Sequence, residues 1–189
     1  TLSQAIDLYI ESQAVVVSSE SIKTYRVTQI YLLAYFSADV ALESLSKRDM
    51  LGWRTFLFGV YRYQFHPKTK TSDETISATT IRNQMSTASS IFNWLVSMEL
   101  LNRNPLLGVR RPPEKERQPA SISKEDFELL LSAASEYIGN HRSTADIYIA
   151  RDTAFLWFLA STGCRVGGLC SAQIRNLKTY NDGAEIELI

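Results

Sequence analysis

NRNPLLGVRRPPEKERQP, residues 102–119, is the stretch that decides how this chain is organised. It holds four prolines and a dense run of charge. Proline has no amide hydrogen and a fixed φ, so no helix continues through such a run. A stretch this polar also has little to bury, and it reads as an exposed connection between two domains. The expected division is a helical domain over 1–101, a linker over 102–119, and a second, incomplete domain over 120–189.

Four helices are expected before the linker. LSQAIDLYIESQA, from Leu2, places Leu2, Ile6, Tyr9 and Ile10 at helical spacing. SESIKTYRVTQIYLLAYF, from Ser19, has Ser19 or Ser21 as cap and Ile22, Tyr25, Leu32 and Phe36 on its inner side. The third, SKRDMLGWRTFLFGVYRYQF (46–65), opens on a capping-box pattern, Ser46 with Asp49. Its Met50, Trp53, Leu57, Val60 and Tyr61 step by three and four, as an amphipathic helix requires. After the polar loop HPKTKTSDETISA, the fourth helix, TTIRNQMSTASSIFNWLVSMEL (79–100), turns Ile81, Met85, Ala88, Phe92 and Leu95 inward.

After the linker, Ser123 caps SISKEDFELLLSAA, with Asp126 three residues on. RDTAFLWFLAST is apolar nearly all round and reads as a central buried helix. Gly163 ends it, CRVGGLCSAQI forms a short helix, YNDG a turn, and AEIELI alternates like one strand. A lone strand leaves its backbone groups unpaired, so this domain is expected to expose apolar surface.

Composition limits the class. Hydrophobic residues are 45% and charged residues 21%, an ordinary globular balance. The longest apolar run, AFLWFLA at 154–160, is far short of a span of about 20 residues. No signal peptide is read at the start. Cys164 and Cys170 are read as reduced, small core residues of a cytoplasmic protein, with no metal or disulfide between them. Net charge is zero, yet residues 1–118 carry fourteen basic and eleven acidic side chains, and 119–189 six and nine. A weakly basic first part is compatible with a nucleic-acid partner only where its cations cluster.

STGCRVGGLCSAQIRNL, residues 161–177, resembles the first conserved box of tyrosine recombinases and phage integrases. That box reads Thr-Gly-x-Arg, two residues, an acidic residue and Leu, then an apolar helix ending near Asp. Thr162, Gly163, Arg165 and Leu169 match; Asn176 stands in the place of the Asp, and Gly168 in that of the acidic residue. The Asn104-Pro105 pair is similar to the family's interdomain linker, and SISKEDFELLLSAA to the first helix of its catalytic domain. The second and fourth helices resemble those of its core-binding domain.

The resemblance implies a mainly α fold: a four-helix, SAM-like core-binding domain, then the first helices and one strand of an α+β integrase catalytic domain. It implies site-specific recombination through a phosphotyrosyl link, with Arg165 clamping the non-bridging oxygens of the scissile phosphate. A guanidinium suits that task because it is permanently charged and donates two parallel hydrogen bonds. No cofactor or metal is implied. The partner is duplex DNA with inverted-repeat sites, met by a homo-tetramer of the complete protein, while this chain alone is expected to be a monomer.

On the outward helix faces, Lys23, Thr24 and Arg26, and Thr79, Thr80, Arg82, Asn83 and Gln84, are residue types that bond phosphates or base edges. Lys68, Lys70, Arg110 and Arg111 add candidate phosphate contacts, and Arg82 leads the set. Gly168 leaves open what orients Arg165. His66 and His141 are read as solvated. Tyr9, Tyr25 and Tyr61 are read as core rather than nucleophile, and the chain is expected to bind DNA without cutting it. Two other readings stand beside this one: a non-catalytic DNA-binding or regulatory derivative of a recombinase, and a helical protein-interaction module.

Overall fold

The computed structural model describes residues 1–65, 69–113, 121–136, 145–180 and 183–186. The chain divides into two compact units, Thr1–Glu116 and Arg117–Ile189.

The first unit is built on α1 (Leu2–Gln13), α2 (Ser19–Leu33), α3 (Lys47–Phe58) and α4 (Ala78–Ser97). Each begins where a hydroxyl supplies the missing acceptor: Thr1, Ser18, Ser46 and Ser77 all accept from a first-turn amide. The Ser46–Asp49 box forms as read. The Ser46 hydroxyl and amide, donating to Asp49, hold that carboxyl below the usual carboxylate range. Its contribution to folding is therefore present above the unfolded pKa and lost as pH falls through the lowered folded value.

One apolar core joins the four helices. Leu2, Ile6, Tyr9 and Ile10 of α1 meet Leu32 of α2, Met50, Trp53 and Leu57 of α3, and Ile81, Met85, Ala88, Phe92 and Leu95 of α4. Ile22, Tyr25 and Phe36 pack against it while half-buried. A polar seam runs through the same region. The Thr28 hydroxyl, fully buried, donates to Gln84 Oε1 at 2.7 Å, linking α2 to α4. Gln84 is thus an inward residue, which corrects its place on the outer face. Thr28→Val leaves that buried carbonyl oxygen without its donor, and we expect a loss of about 1–3 kcal/mol in urea unfolding.

Two expectations are corrected in this unit. First, α3 stops at Phe58 rather than running to 65. Gly59 caps it, and the β-favouring Val60 and Tyr61 leave as a strand-like arm: Arg62 N bonds Glu74 O, Ser72 N bonds Arg62 O, and Ile76 N bonds Val60 O. Val60 still reaches the core, but Tyr61 is exposed. Second, the first part of the expected linker is not wholly exposed, because apolar anchors along it and just before it pack into the first unit. Leu101, Pro105, Leu106, Val109 and Pro112 are buried in the first unit. The apolar residues of NPLLGV outweigh the polarity of the stretch around them. Gly108, at φ +73°, makes the bend between Leu106 and Val109 with no Cβ penalty.

The second unit holds α5 (Lys124–Glu136), α6 (Ala145–Thr162), α7 (Val166–Ser171) and an antiparallel pair, β1 (Leu177–Tyr180) and β2 (Gly183–Ile186). The single strand expected at the end therefore has a partner, in register Leu177 with Ile186. Phe127 and Trp157 meet edge-to-face at 5.4 Å across α5 and α6. The expectation of a buried central helix is corrected: no residue of α6 whose exposure is described is buried, and Trp157 remains 55% exposed. Among the described residues of this unit, α5 and α7 are the helices that pack on α6. The cysteines are corrected with it, since Cys164 is half-buried and Cys170 exposed. Among the described residues no helix is long and apolar enough to cross a membrane.

Candidate nucleic-acid interface

The turn that carries Arg165 is built by its neighbours. At the end of α6 the Thr162 hydroxyl donates to Phe158 O at 2.7 Å and accepts from the Cys164 amide at 3.3 Å. Gly163 N–H closes the last turn on Leu159 O, and Gly163 itself takes φ +63°. A β-carbon there would strain the backbone, so glycine fits this left-handed corner. Arg165 follows in extended conformation, and its carbonyl accepts from Leu169 N as α7 begins. Its side chain is exposed, and among the described residues no carboxylate pairs with it. A guanidinium left in this state keeps its full fork of donors for an external anion.

On the first unit the candidate contacts differ in how free they are. Lys23 sits on the surface of α2 beside Glu20 at 2.8 Å, an exposed pair of little energetic weight. Arg26 is more committed. Its Nη1 donates to Asp7 Oδ1 at 2.7 Å and to Gln29 Oε1 at 3.1 Å, tying α2 to α1. Thr80 is half-buried at the start of α4, where its amide donates to Ser77 and its hydroxyl lies 3.0 Å from the Ser77 hydroxyl. Asn83 and Thr79 are exposed. Arg82 is half-buried, with Nη1 donating to Pro112 O at 2.7 Å. Lys70 is exposed, as are Arg110 and Arg111; Lys68, His66 and His141 lie outside the described residues.

Arg82, Arg110 and Arg111 come together around one shallow cleft, with Met85, Ser89 and residues 106–109 as its floor and walls. Three cations at one cleft are the local cluster that overall charge conceals. The sequence reading missed two residues that build it. Arg54, on α3, donates from Nη1 to Arg110 O at 3.0 Å. Asn104 donates to Ser89 O, Ser89 Oγ and Asn93 Oδ1 while accepting from Leu106 N. The Asn-Pro pair signals the second of these; nothing in the sequence signals Arg54.

Burial, with the Tyr25 hydroxyl beside it, raises the Tyr9 phenol far above its ordinary value, and burial raises Tyr31 as well. No group of three or more metal-ligating side chains occurs among the described residues.

No family model matches the chain. It is similar to the tyrosine recombinase XerD of Rickettsia bellii, 26% identical, over 79% of this chain and 52% of that protein. It is also similar to the tyrosine recombinase XerC of Escherichia coli, 25% identical, over 79% of this chain and 43% of that one. The chain spans about half the length of these relatives. Among solved structures, a Tn1549 transposon integrase in complex with circular intermediate DNA matches with a TM-score of 0.62 at 15% identity, covering 100% of this chain and 59% of that one. A lambda integrase dimer bound to a COC' core site matches at 0.60 and 16%, covering 98% and 61%. At such identities the structural likeness establishes the fold, mainly α.

Proposed function

We propose that the chain is a member of the tyrosine recombinase and phage integrase family, a reading supported by its similarity to XerD and XerC, and that it grips duplex DNA in site-specific recombination. The observation that carries this reading is Arg165: exposed, free of any carboxylate partner among the described residues, and presented by a Thr-Gly corner at the start of α7.

In the proposed reaction a tyrosine hydroxyl attacks a backbone phosphate, forming a phosphotyrosyl bond and releasing a 5′-hydroxyl. Negative charge grows on the two non-bridging oxygens, and Arg165 donates to both. The first unit holds the duplex through α2 and α4, with Lys23, Arg26, Thr80, Arg82 and Asn83 facing it and Arg110 and Arg111 on phosphates. Lys68 and Lys70 extend that contact. None of the tyrosines in these 189 residues is assigned as the nucleophile, so this chain by itself binds without cutting. It acts as a monomer off DNA; the complete protein works as a tetramer on inverted-repeat sites.

Gly168 favours a second reading. It stands where a carboxylate would brace Arg165, and a derivative that binds without catalysis has no need of the brace.

The test is binding of a labelled inverted-repeat duplex across a salt titration. We expect log affinity to fall linearly with log salt. Arg82→Ala should weaken binding and flatten the slope by about 0.9 for each phosphate the variant no longer neutralises. An affinity unmoved by salt in the parent chain removes the DNA reading. An unmoved slope in the variant removes Arg82 from the contact face.

A further inference from the structure

We infer that Arg54 and Arg82 are positioning residues that set the length of the connection between the two units, by strapping residues 104–112 onto the first. The inference rests on the two-part DNA grip proposed above.

The strap is held at both ends. Near Asn104 the side-chain amide reaches α4 at Ser89 and Asn93, and its oxygen takes the Leu106 amide. Leu106, Val109 and Pro112 are buried between these points. At the far end Arg54 holds the Arg110 carbonyl at 3.0 Å and Arg82 holds the Pro112 carbonyl at 2.7 Å, from two different helices. Arg54 Nε is buried with no hydrogen-bond partner. A side chain free to swing into water would not leave that donor unsatisfied, so the buried Nε marks a residue held in place. The main chain at 110 and 112 is gripped while the side chains of Arg110 and Arg111 stay exposed for another partner.

Covalent geometry turns this strap into a limit on reach. From Pro113 to Ser121 there are eight Cα–Cα steps, which span at most about 29 Å. Without the two arginine contacts the last held point moves back to Val109, twelve steps from Ser121, and the covalent limit rises to about 43 Å.

The test uses the 189-residue chain without DNA, as Arg54→Met, Arg82→Met and the double variant. Amide exchange over 104–113 reads the strap, because Leu107 N–H bonds Asn104 O and Val109 N–H bonds Leu106 O. We expect exchange there to rise at least tenfold in the double variant, with α1 and α4 unchanged. Pulsed dipolar spectroscopy reads the reach, with one spin label on the exposed Cys170 and one on Glu11→Cys, in a Cys164→Ser background. We expect the long edge of the distance distribution to extend by up to about 14 Å, a change that a purely structural role would not produce. Unchanged exchange together with an unchanged long edge overturns the inference. Faster exchange throughout α1–α4 means the double variant has unfolded, and the same two outcomes are then read in the single variants. Duplex binding by the parent chain is measured alongside. Its absence sinks the DNA grip and leaves the strap result standing; parent binding with unchanged exchange sinks the strap alone.

Discussion

Under the proposed function, replacing Arg165 by alanine is expected to lower strand cleavage by about 10²–10³-fold, the scale seen when one preorganised oxyanion donor is removed. The measurement needs a polypeptide that contains these residues and also the nucleophile, and it reads the covalent protein–DNA adduct. Duplex affinity is expected to stay within about twofold, because most of the electrostatic attraction comes from the phosphate contacts of the first unit. The size of the effect follows from where the charge sits. Arg165 has no carboxylate partner among the described residues, so its charge is available to the phosphate oxygens as they gain charge. Arg165→Lys keeps the charge and loses the planar fork, so it should recover only part of the rate. Cleavage at the parent rate in the alanine variant would remove the clamp assignment. Loss of binding in step with cleavage would make Arg165 a general DNA contact instead.

Trp53→Ala is expected to weaken duplex binding on heating by strongly destabilising the first unit. Trp53 is fully buried in the common core, and its Nε1 donates to the Tyr31 carbonyl at 3.0 Å. Truncating a buried Trp costs about 3–5 kcal/mol, and a domain has only about 5–15 kcal/mol to lose. For a unit of this size the midpoint should fall by more than about 10 °C. The second unit has its own contacts, so helical exchange protection in α5 and α6 should persist while exchange in α1–α4 speeds up. A melting profile like that of the parent chain would show that the indole is not the keystone of this core.

How much of the fold is legible in the sequence differs by element. α1 and α4 are, because their apolar residues repeat at the helical period and bury as that period requires. α2 is legible only in part. Its buried face includes Thr28 and Gln29, polar residues that a hydrophobic pattern passes over, and their partners lie 56 and 22 positions away. The expected α3 runs too far because Val60 keeps the helical spacing while the backbone has already left the helix at Gly59. The linker is misread in its first part for a related reason. Average polarity over 102–119 conceals four apolar anchors, and no local signal marks an arginine that reaches a carbonyl from another helix.

The sequence by itself determined the local features: where hydroxyls cap helices, where glycine permits a corner, and which box places Arg165 after Thr162-Gly163. These depend on residues within a few positions of one another, so their physics is written in the order of the chain. Tertiary structure alone decided that Gln84 faces inward, that Arg26 pairs with Asp7, and that Arg54 and Arg82 hold the strap. Those contacts join residues 19 to 56 positions apart, and only the packing of helices in three dimensions brings a donor within reach of its acceptor.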